Sequence, residues 1–485
     1  MSTSTEVQQD TRFFGHPRGL ANLFGVEMWE RFSFYGMQGI LAIYLYYTAD
    51  QGGLGVDQSS ALGIVGAYGG TVYLATVVGA WIADRLLGSE RTLFYSAIIV
   101  MIGHIALALL PGMTGVGVGL ACVALGSGGL KGNATSVVGT LYAEGDERRD
   151  AGFTLFYMGV NIGGFIGPLL TGLAQQNLGF HFGFGLAAIG MALGLIQYTL
   201  GRKNLGDKAS EVPNPLPSSQ RWVPVVVGVV IIAAIVAMIL SGVITPDNLA
   251  DVVVYVVIAI SVVYFVVILT SRKITSEERS RVLSFIPMYI ASAAFFSLYQ
   301  QQSTVVAAYS DQRLDRNLFG WEMPVSWVNS INPVFIIVFA PIIAAIWTKL
   351  GPKQPSTPMK FVLGTVLMGC AFLLFLPMTG TGENGSPLIA LVGILFVFTI
   401  AELMLSPVGL SLSTKLAPKS FRTQMVALNF LSVSLGTAMS GKLAESYDVH
   451  DETPYFSIIG GVAIAVGLLL FAFIPLVRKL MKGVH

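Results

Sequence analysis

The amino-acid sequence predicts an all-α polytopic membrane protein, and two observations support this fold class. Hydrophobic side chains make up 54% of the 485 residues and charged ones only 11%, whereas a soluble domain carries about 25% charged residues. The apolar runs also reach the roughly 20 residues that a membrane-crossing helix needs, and they are too long for barrel strands. Because 28 basic residues are balanced by 27 acidic ones, no nucleic-acid-binding surface is expected.

Fourteen apolar segments qualify as membrane spans. Segments 222–244 and 252–270 differ from the others because they are rich in Val and Ile on all sides, a pattern typical of lipid-exposed helices. We therefore expect residues 1–200 to form a six-helix bundle, residues 201–281 a linker with two additional helices, and residues 282–485 a second six-helix bundle. The fourteen segments are 20–48, 59–86, 92–110, 115–142, 151–175, 182–200, 222–244, 252–270, 283–309, 325–347, 360–377, 387–414, 424–444 and 455–477.

The distribution of basic residues supports this number of spans. With a cytoplasmic N-terminus, most of the 28 Lys and Arg residues fall in cytoplasmic loops, as the positive-inside rule requires. Arg313, Arg316 and Lys442 fall toward the outer side, and Arg31 and Lys131 lie within spans. We therefore expect a multi-pass protein of the cell (inner) membrane with both termini in the cytoplasm. Two six-helix bundles are the arrangement of the major facilitator superfamily, whose substrates bind between the halves near the membrane midplane.

Five ionisable residues lie well inside the predicted spans: Glu27, Glu30, Arg31, Lys131 and Glu402. Each costs about 2.5–3.5 kcal/mol in hydrocarbon and is therefore a candidate functional residue. Glu27, Glu30 and Arg31 share one helix face, so Arg31 can pair with Glu27. A second acid beside that pair has difficulty ionising, which suits a group that binds and releases protons. A fixed salt-bridge cluster is the alternative, but such a cluster does not need the additional base Lys131.

Glycine-rich stretches are expected to bring these charges together. Residues 126–132 and 159–167 would let the fourth and fifth helices approach closely, which would move Lys131 toward the first span.

The sequence gives no indication of a cofactor, a metal site or an enzyme. Cys122 and Cys370 lie inside apolar runs, where cysteine behaves as a small hydrophobic residue. The loops are too short for a nucleotide-binding domain and contain no GxxxxGK[ST] motif. Uphill transport must then draw on an ion gradient.

Several motifs resemble those of the proton-dependent oligopeptide transporter (POT, or PTR) family. Segment 27–36, EMWERFSFYG, resembles the family signature ExxERFxYYG. Further similar segments follow in the family's order: 79–88 (GAWIADRLLG) after the second helix, 129–133 (GLKGN) on the fourth, 156–164 (FYMGVNIGG) on the fifth, 329–333 (NSINP) for QSxNP, and 402–407 (ELMLSP) for ExxxSP. Bacterial members also carry two extra helices between the bundles, which fits the predicted spans.

The resemblance implies a proton-coupled symporter that imports di- and tripeptides across the cytoplasmic membrane by alternating access, and we expect it to work as a monomer in the lipid bilayer. It implies that Glu27, Glu30, Arg31, Lys131 and Glu402 couple protons. Arg31 and Lys131 would meet the peptide carboxylate, and Lys131 would pair with Glu402 when the site is empty. The implied substrate-binding residues are Arg31, Tyr35, Gln38, Tyr68, Lys131, Asn161, Gln300, Asn329, Asn332, Glu402 and Ser406.

Three positions depart from the family pattern. Gln38 replaces an arginine that many members carry, Gln300 stands where an acid is usual, and Phe34 replaces a tyrosine. Proton coupling is therefore expected to rest on the acids of the first span and on Glu402. Three alternatives stay open: a transporter of the same fold for nitrate or another small organic anion, an ion channel, and a polytopic membrane enzyme.

Overall fold

The computed structural model describes residues 10–143 and 146–483 and consists mainly of long helices. Twelve helical segments are long and apolar enough to cross a membrane. The α-helices are α1 (Arg18–Tyr46), α2 (Gln58–Ile82), α3 (Ser89–Leu109), α4 (Gly112–Thr140), α5 (Arg149–Leu178), α6 (Phe180–Gly201), α7 (Trp222–Leu240), α8 (Leu249–Thr270), α9 (Ser276–Tyr299), α10 (Val305–Gln312), α11 (Ile331–Leu350), α12 (Thr357–Leu373), α13 (Leu388–Lys415), α14 (Arg422–Ala444) and α15 (Glu452–Met481).

Every predicted span coincides with helix. Two of them, α1 with 29 residues and α14 with 23, are long enough to cross but more polar than the twelve apolar segments. Helix α1 is more polar because it carries Glu27, Glu30 and Arg31. The prediction of fourteen crossing helices thus agrees with the helices of the structure. Both chain ends lie outside the described residues.

One predicted span, 283–309, is not a single helix. Helix α9 begins earlier, at Ser276, where the Thr275 hydroxyl accepts a hydrogen bond from Glu278 N (3.1 Å) and Thr275 N donates one to the Glu278 carboxylate (2.9 Å). This reciprocal cap fixes the first turn. At the other end, a 3-10 turn over Gln300–Ser303 separates α9 from α10. The break points backbone and polar side chains toward the centre of the molecule.

The helices pack in two groups that meet face to face. Helices α1 to α6 contact one another, as do α9 and α11 to α15, while α2 packs on α14 and α5 on α11 across the interface. Helix α7 has no buried residue, as expected for a helix surrounded by lipid, and α8 packs against α2 and α14. The division at residues 200 and 281 stays a prediction.

Glycines allow the close contacts between helices. Helices α4 and α5 make these contacts mainly with other helices and not with each other. A Cβ on Gly129 of α4 would collide with Ser96 of α3, and one on Gly167 of α5 would collide with the Phe32 backbone of α1. Helix α4 thus packs on α2 and α3, and α5 packs on α1. Small residues allow these approaches because they let backbones come together.

Four short strands lie in the connections of the second group. Strand β1 (Leu314–Asp315) pairs in parallel with β4 (Ser386–Pro387), and β2 (Asn317–Leu318) pairs antiparallel with β3 (Trp321–Glu322). They order the loop that follows α10.

Candidate functional site

A cavity of about 290 Å³ lies between the two helix groups. Helices α1, α2 and α5 line it from one side, and α9, α11, α13 and α14 from the other. Most of the predicted substrate-binding residues reach it, namely Tyr35, Gln38, Asn161, Gln300, Asn329, Asn332, Glu402 and Ser406. The sequence motifs therefore converge on one cavity.

The charged residues of α1 form a compact cluster beside this cavity. The Arg31 guanidinium donates to Glu27 Oε1 through Nε (2.8 Å) and Nη2 (2.7 Å), and its Nε lies 3.3 Å from Glu30 Oε2. Glu27, Glu30 and Arg31 are 2%, 0% and 6% exposed. The predicted pairing of Arg31 with Glu27 is present, and both carboxylates share a single cation at close range.

Helix α4 contributes two further polar groups to this cluster. The Ser127 hydroxyl donates to Glu30 Oε1 at 2.8 Å. Lys131 Nζ lies 4.5 Å from the ring centre of Phe34 and 4.6 Å from that of Tyr73. Within the described residues Lys131 forms no salt bridge. Its ammonium is instead held by the electron-rich faces of two aromatic rings.

Phe34 separates the cluster from the cavity. Its ring lines the cavity and also lies 6.0 Å from the Arg31 guanidinium carbon, 6.0 Å from the Tyr68 ring and close to Lys131. Arg31, Tyr68 and Lys131 are not among the residues that line the cavity, although the resemblance implies that they touch substrate.

Glu402 on α13 is the acid of the opposite wall. Asn332 Nδ2 donates to its carboxylate at 3.4 Å and to Thr399 Oγ1 at 3.0 Å. The Tyr299 hydroxyl donates to Asn332 Oδ1 at 3.3 Å and so supports this amide. A neutral donor thus holds the Glu402 carboxylate. The expected pairing of Lys131 with Glu402 in the empty site is not formed in the structure, because each group already has other partners on its own side.

Three tyrosines of the cavity were missed by sequence reasoning. Tyr73, Tyr157 and Tyr299 all line it. Tyr157 precedes Asn161 by one helical turn, and Asn161 Nδ2 donates to its carbonyl at 3.0 Å. That spacing was a usable signal, since residues four apart share a helix face.

The two helix groups are joined at the end where α1 finishes. Tyr46 and Tyr47 donate to the two carboxylate oxygens of Asp311 at 2.8 and 2.6 Å. Nearer the cavity, Ser434 Oγ donates to the Gly70 carbonyl at 2.7 Å, and Ser326 Oγ donates to the Pro168 carbonyl at 2.8 Å. These contacts close that end of the interface.

At the opposite end a second, larger cavity of about 1060 Å³ opens. Tyr157, Glu402 and Ser406 line both cavities. The central cavity is therefore closed toward the end of α1 and adjoins a wide space toward the other side.

Comparison with known proteins places this architecture in a family. Residues 90–462 match the model of the POT family. The chain is 44% identical over 476 residues to the uncharacterized transporter YclF of Bacillus subtilis, covering 97% of this chain and 96% of that protein. It is 40% identical to a di-/tripeptide transporter of Lactococcus lactis subsp. cremoris, with 98% of each chain covered.

A solved structure shows the same architecture. The crystal structure of a peptide transporter POT in complex with sulfate superposes with a TM-score of 0.93 at 44% identity, and 98% of each chain is covered. The predicted all-α membrane fold of the major facilitator type is thereby confirmed. Family model, relatives and structure agree that the chain belongs to the POT family.

Proposed function

We propose that this protein is a proton-coupled symporter that imports di- and tripeptides across the cell membrane by alternating access. Membership of the POT family makes it a secondary transporter and not an enzyme. The name of the Lactococcus relative, a di-/tripeptide transporter, supports the substrate class. The observation that carries the proposal is the cavity between the Glu27, Glu30 and Arg31 cluster of α1 and the Glu402 carboxylate of α13.

The two walls match the two ends of a peptide. A zwitterionic peptide has a carboxylate and an ammonium several ångströms apart. Arg31 and Lys131 form the cationic pole, and Glu402 forms the anionic pole. The cavity of about 290 Å³ lies at the low end of the roughly 300–1,000 Å³ typical of small-molecule sites, which favours short peptides over long ones.

Tyr35, Gln38, Asn161 and Gln300 line the space between the poles. They offer neutral hydrogen-bonding groups to the peptide backbone. Asn329, Asn332 and Ser406 extend this polar surface on the α11 and α13 side. Because Gln38 and Gln300 carry no charge, the walls between the poles favour no particular charge on the substrate side chains.

Protons enter the mechanism through Arg31. With both acids ionised, Arg31 is held by Glu27 and Glu30 and is not free for a ligand. Protonation of one carboxylate releases part of the guanidinium, so a peptide carboxylate can take the vacant place once Phe34 moves. Release of the peptide inside restores the original pair. Ligand and proton thus bind to the same state, which is the requirement for coupled transport.

The orientation and assembly of the protein belong to the proposal. The basic loops favour cytoplasmic termini, so the end of the interface closed by Asp311 faces outward. The larger second cavity then faces the cytoplasm. We infer that the protein acts as a monomer, because the complete central cavity is built from one chain.

Uptake by reconstituted protein tests the proposal. Proteoliposomes with an inwardly directed proton gradient are supplied with labelled dialanine, and dissipation of the gradient with a protonophore is the control. We expect saturable accumulation that the protonophore abolishes and that unlabelled dialanine, but not nitrate or acetate, inhibits. Inhibition by nitrate with none by dialanine would favour an anion transporter, and non-saturable flux would favour a channel.

A further inference from the structure

The second cavity is lined by three basic side chains to which the mechanism proposed above gives no role. It lies between α11, α12 and α13, beside the end of α15. Lys360, Lys415 and Arg478 line it, and in the described part of the chain Glu402, at the boundary with the central cavity, is the single acid among its lining residues. The part of the cavity away from Glu402 therefore has a net positive charge.

Two of these cations, Lys360 and Arg478, have neutral hydrogen-bond partners. Lys360 Nζ donates to Gln354 Oε1 at 2.7 Å and lies 4.5 Å from the Trp347 ring. Arg478 Nη2 donates to Ser356 Oγ at 2.8 Å. Over the described ranges, neither Lys360 nor Arg478 takes part in a salt bridge. The charges of Lys360 and Arg478 are thus oriented by hydrogen bonds but not paired with an acid in the described residues, and Lys415 lines the same cavity.

The cavity lies where membrane-spanning helices end. Helix α11 finishes at Leu350, α12 starts at Thr357 and α13 finishes at Lys415, so this region sits at the level of lipid headgroups. Trp347 lines the cavity there, and tryptophan is enriched at membrane interfaces.

An apolar route leads from the bilayer to the same place. Ile342 and Ile346 of α11 are 47% and 43% exposed, and Ile343, Leu403 and Leu412 form apolar parts of the cavity wall. A molecule with a charged head and hydrocarbon chains matches both features at once.

We propose that this cavity binds the phosphate headgroup of an anionic phospholipid of the cytoplasmic leaflet, with its acyl chains along α11. Basic pockets between transmembrane helices on the cytoplasmic side have the chemistry that recognises such headgroups. A leaving peptide is a poorer match, because its ammonium is repelled by the cations that attract its carboxylate. The inference rests on the orientation proposed above but not on the identity of the substrate.

Thermal unfolding in neutral detergent with added lipid tests this site. Phosphatidylglycerol is titrated into the wild type and into Lys360→Gln/Lys415→Gln/Arg478→Gln, with phosphatidylcholine as the uncharged comparison. The matched control is Lys203→Gln/Arg272→Gln/Lys273→Gln, which removes the same charge from exposed positions outside this cavity. Should the triple cavity variant not fold, the single variant Lys360→Gln replaces it, with Lys203→Gln as its control.

We expect phosphatidylglycerol, but not phosphatidylcholine, to raise the Tm of the wild type and of the control. In the cavity variant, the phosphatidylglycerol concentration that gives half of the Tm rise should be at least about tenfold higher. The reason is that each cation near an anionic headgroup adds to its binding. The proposal is overturned if the response to phosphatidylglycerol weakens equally in both variants, or if it does not weaken in the cavity variant. A shift produced equally by glycerol phosphate or by dialanine also overturns it, in favour of a free-phosphate site or a peptide exit route. This experiment does not measure transport, so its failure would leave the proposed function unaffected.

Discussion

Helices α1 and α13 carry buried carboxylates on opposite sides of the central cavity, but they hold them in opposite ways. On α1, Glu27 and Glu30 lie 2.7 and 3.3 Å from one guanidinium. On α13, Glu402 accepts a hydrogen bond from the Asn332 amide. In the first case we propose that a proton changes which group holds the cation, whereas Glu402 pairs with no cation in the described part of the chain.

This difference indicates a division of labour. A buried carboxylate without a cation gains most from an arriving ammonium, because charge-assisted hydrogen bonds are stronger than neutral ones. A guanidinium already held by two acids becomes available only when one acid is neutralised. The α13 side is therefore suited to substrate binding, and the α1 side to coupling that binding to protons.

The largest effect is expected for Glu30→Gln. Without this titratable carboxylate, gradient-driven uptake of dialanine should fall to the background of protein-free liposomes, while counterflow of dialanine survives because the cavity is intact. Uptake and counterflow are measured in the same proteoliposomes. Ser127→Ala, which removes only the 2.8 Å hydrogen bond to Glu30, serves as the control and should keep coupled uptake. Full gradient-driven uptake by Glu30→Gln would show that this carboxylate is not needed for proton coupling. The proposed difference in role between α1 and α13 would then be wrong.

The next effect concerns the α13 side. Glu402→Gln keeps the side-chain shape but removes the charge that meets the peptide ammonium, a hydrogen bond worth about 1.5–3 kcal/mol. We expect the KM for dialanine to rise by about 10- to 100-fold. N-acetyl-dialanine, which has no ammonium, should compete equally poorly with both proteins. A variant that loses affinity for both ligands alike would show that Glu402 acts on the structure and not on the ammonium.

A smaller effect is expected at the C-terminal end of α1. Asp311→Asn weakens the contacts with Tyr46 and Tyr47, so this closed end of the interface should open more often. The population of the open form should change by about tenfold or less. Spin labels at Gln51→Cys and Asn317→Cys, with Cys122 and Cys370 replaced by serine, report the distance by electron spin resonance. Asp315→Asn is the control, since Asp315 accepts only from the Asn317 backbone in the described structure. An unchanged distance distribution would show that Asp311 does not hold this end closed.

The smallest effect is expected for Phe34. Phe34→Leu removes an aromatic face from Lys131, a contact worth about 0.5–2 kcal/mol, but also lowers the barrier between cavity and cluster. We expect the KM for dialanine to change by about threefold, with coupling to protons retained. Phe34→Tyr should leave coupling intact as well. Loss of coupling in either variant would assign Phe34 to proton transfer.

Much of this arrangement follows from local patterns in the sequence. The pairing of Arg31 with Glu27 is set within one helix, where a spacing of four residues determines the contact. The spans follow from the length of the apolar runs. By contrast, the position of Lys131 between Phe34 and Tyr73 depends on how α1, α2 and α4 are rotated against one another. Periodicity within one helix does not contain that rotation, which also explains why Tyr73 and Tyr299 were missed.

Proton movement during peptide transport tests the central role of the α1 acids most directly. A pH-sensitive dye trapped in proteoliposomes reports proton entry when dialanine is added outside, and equilibrium binding of dialanine is measured in parallel. For Glu27→Gln/Glu30→Gln we predict no dialanine-induced proton entry while dialanine still binds. Proton entry at the wild-type rate in this variant would contradict the account.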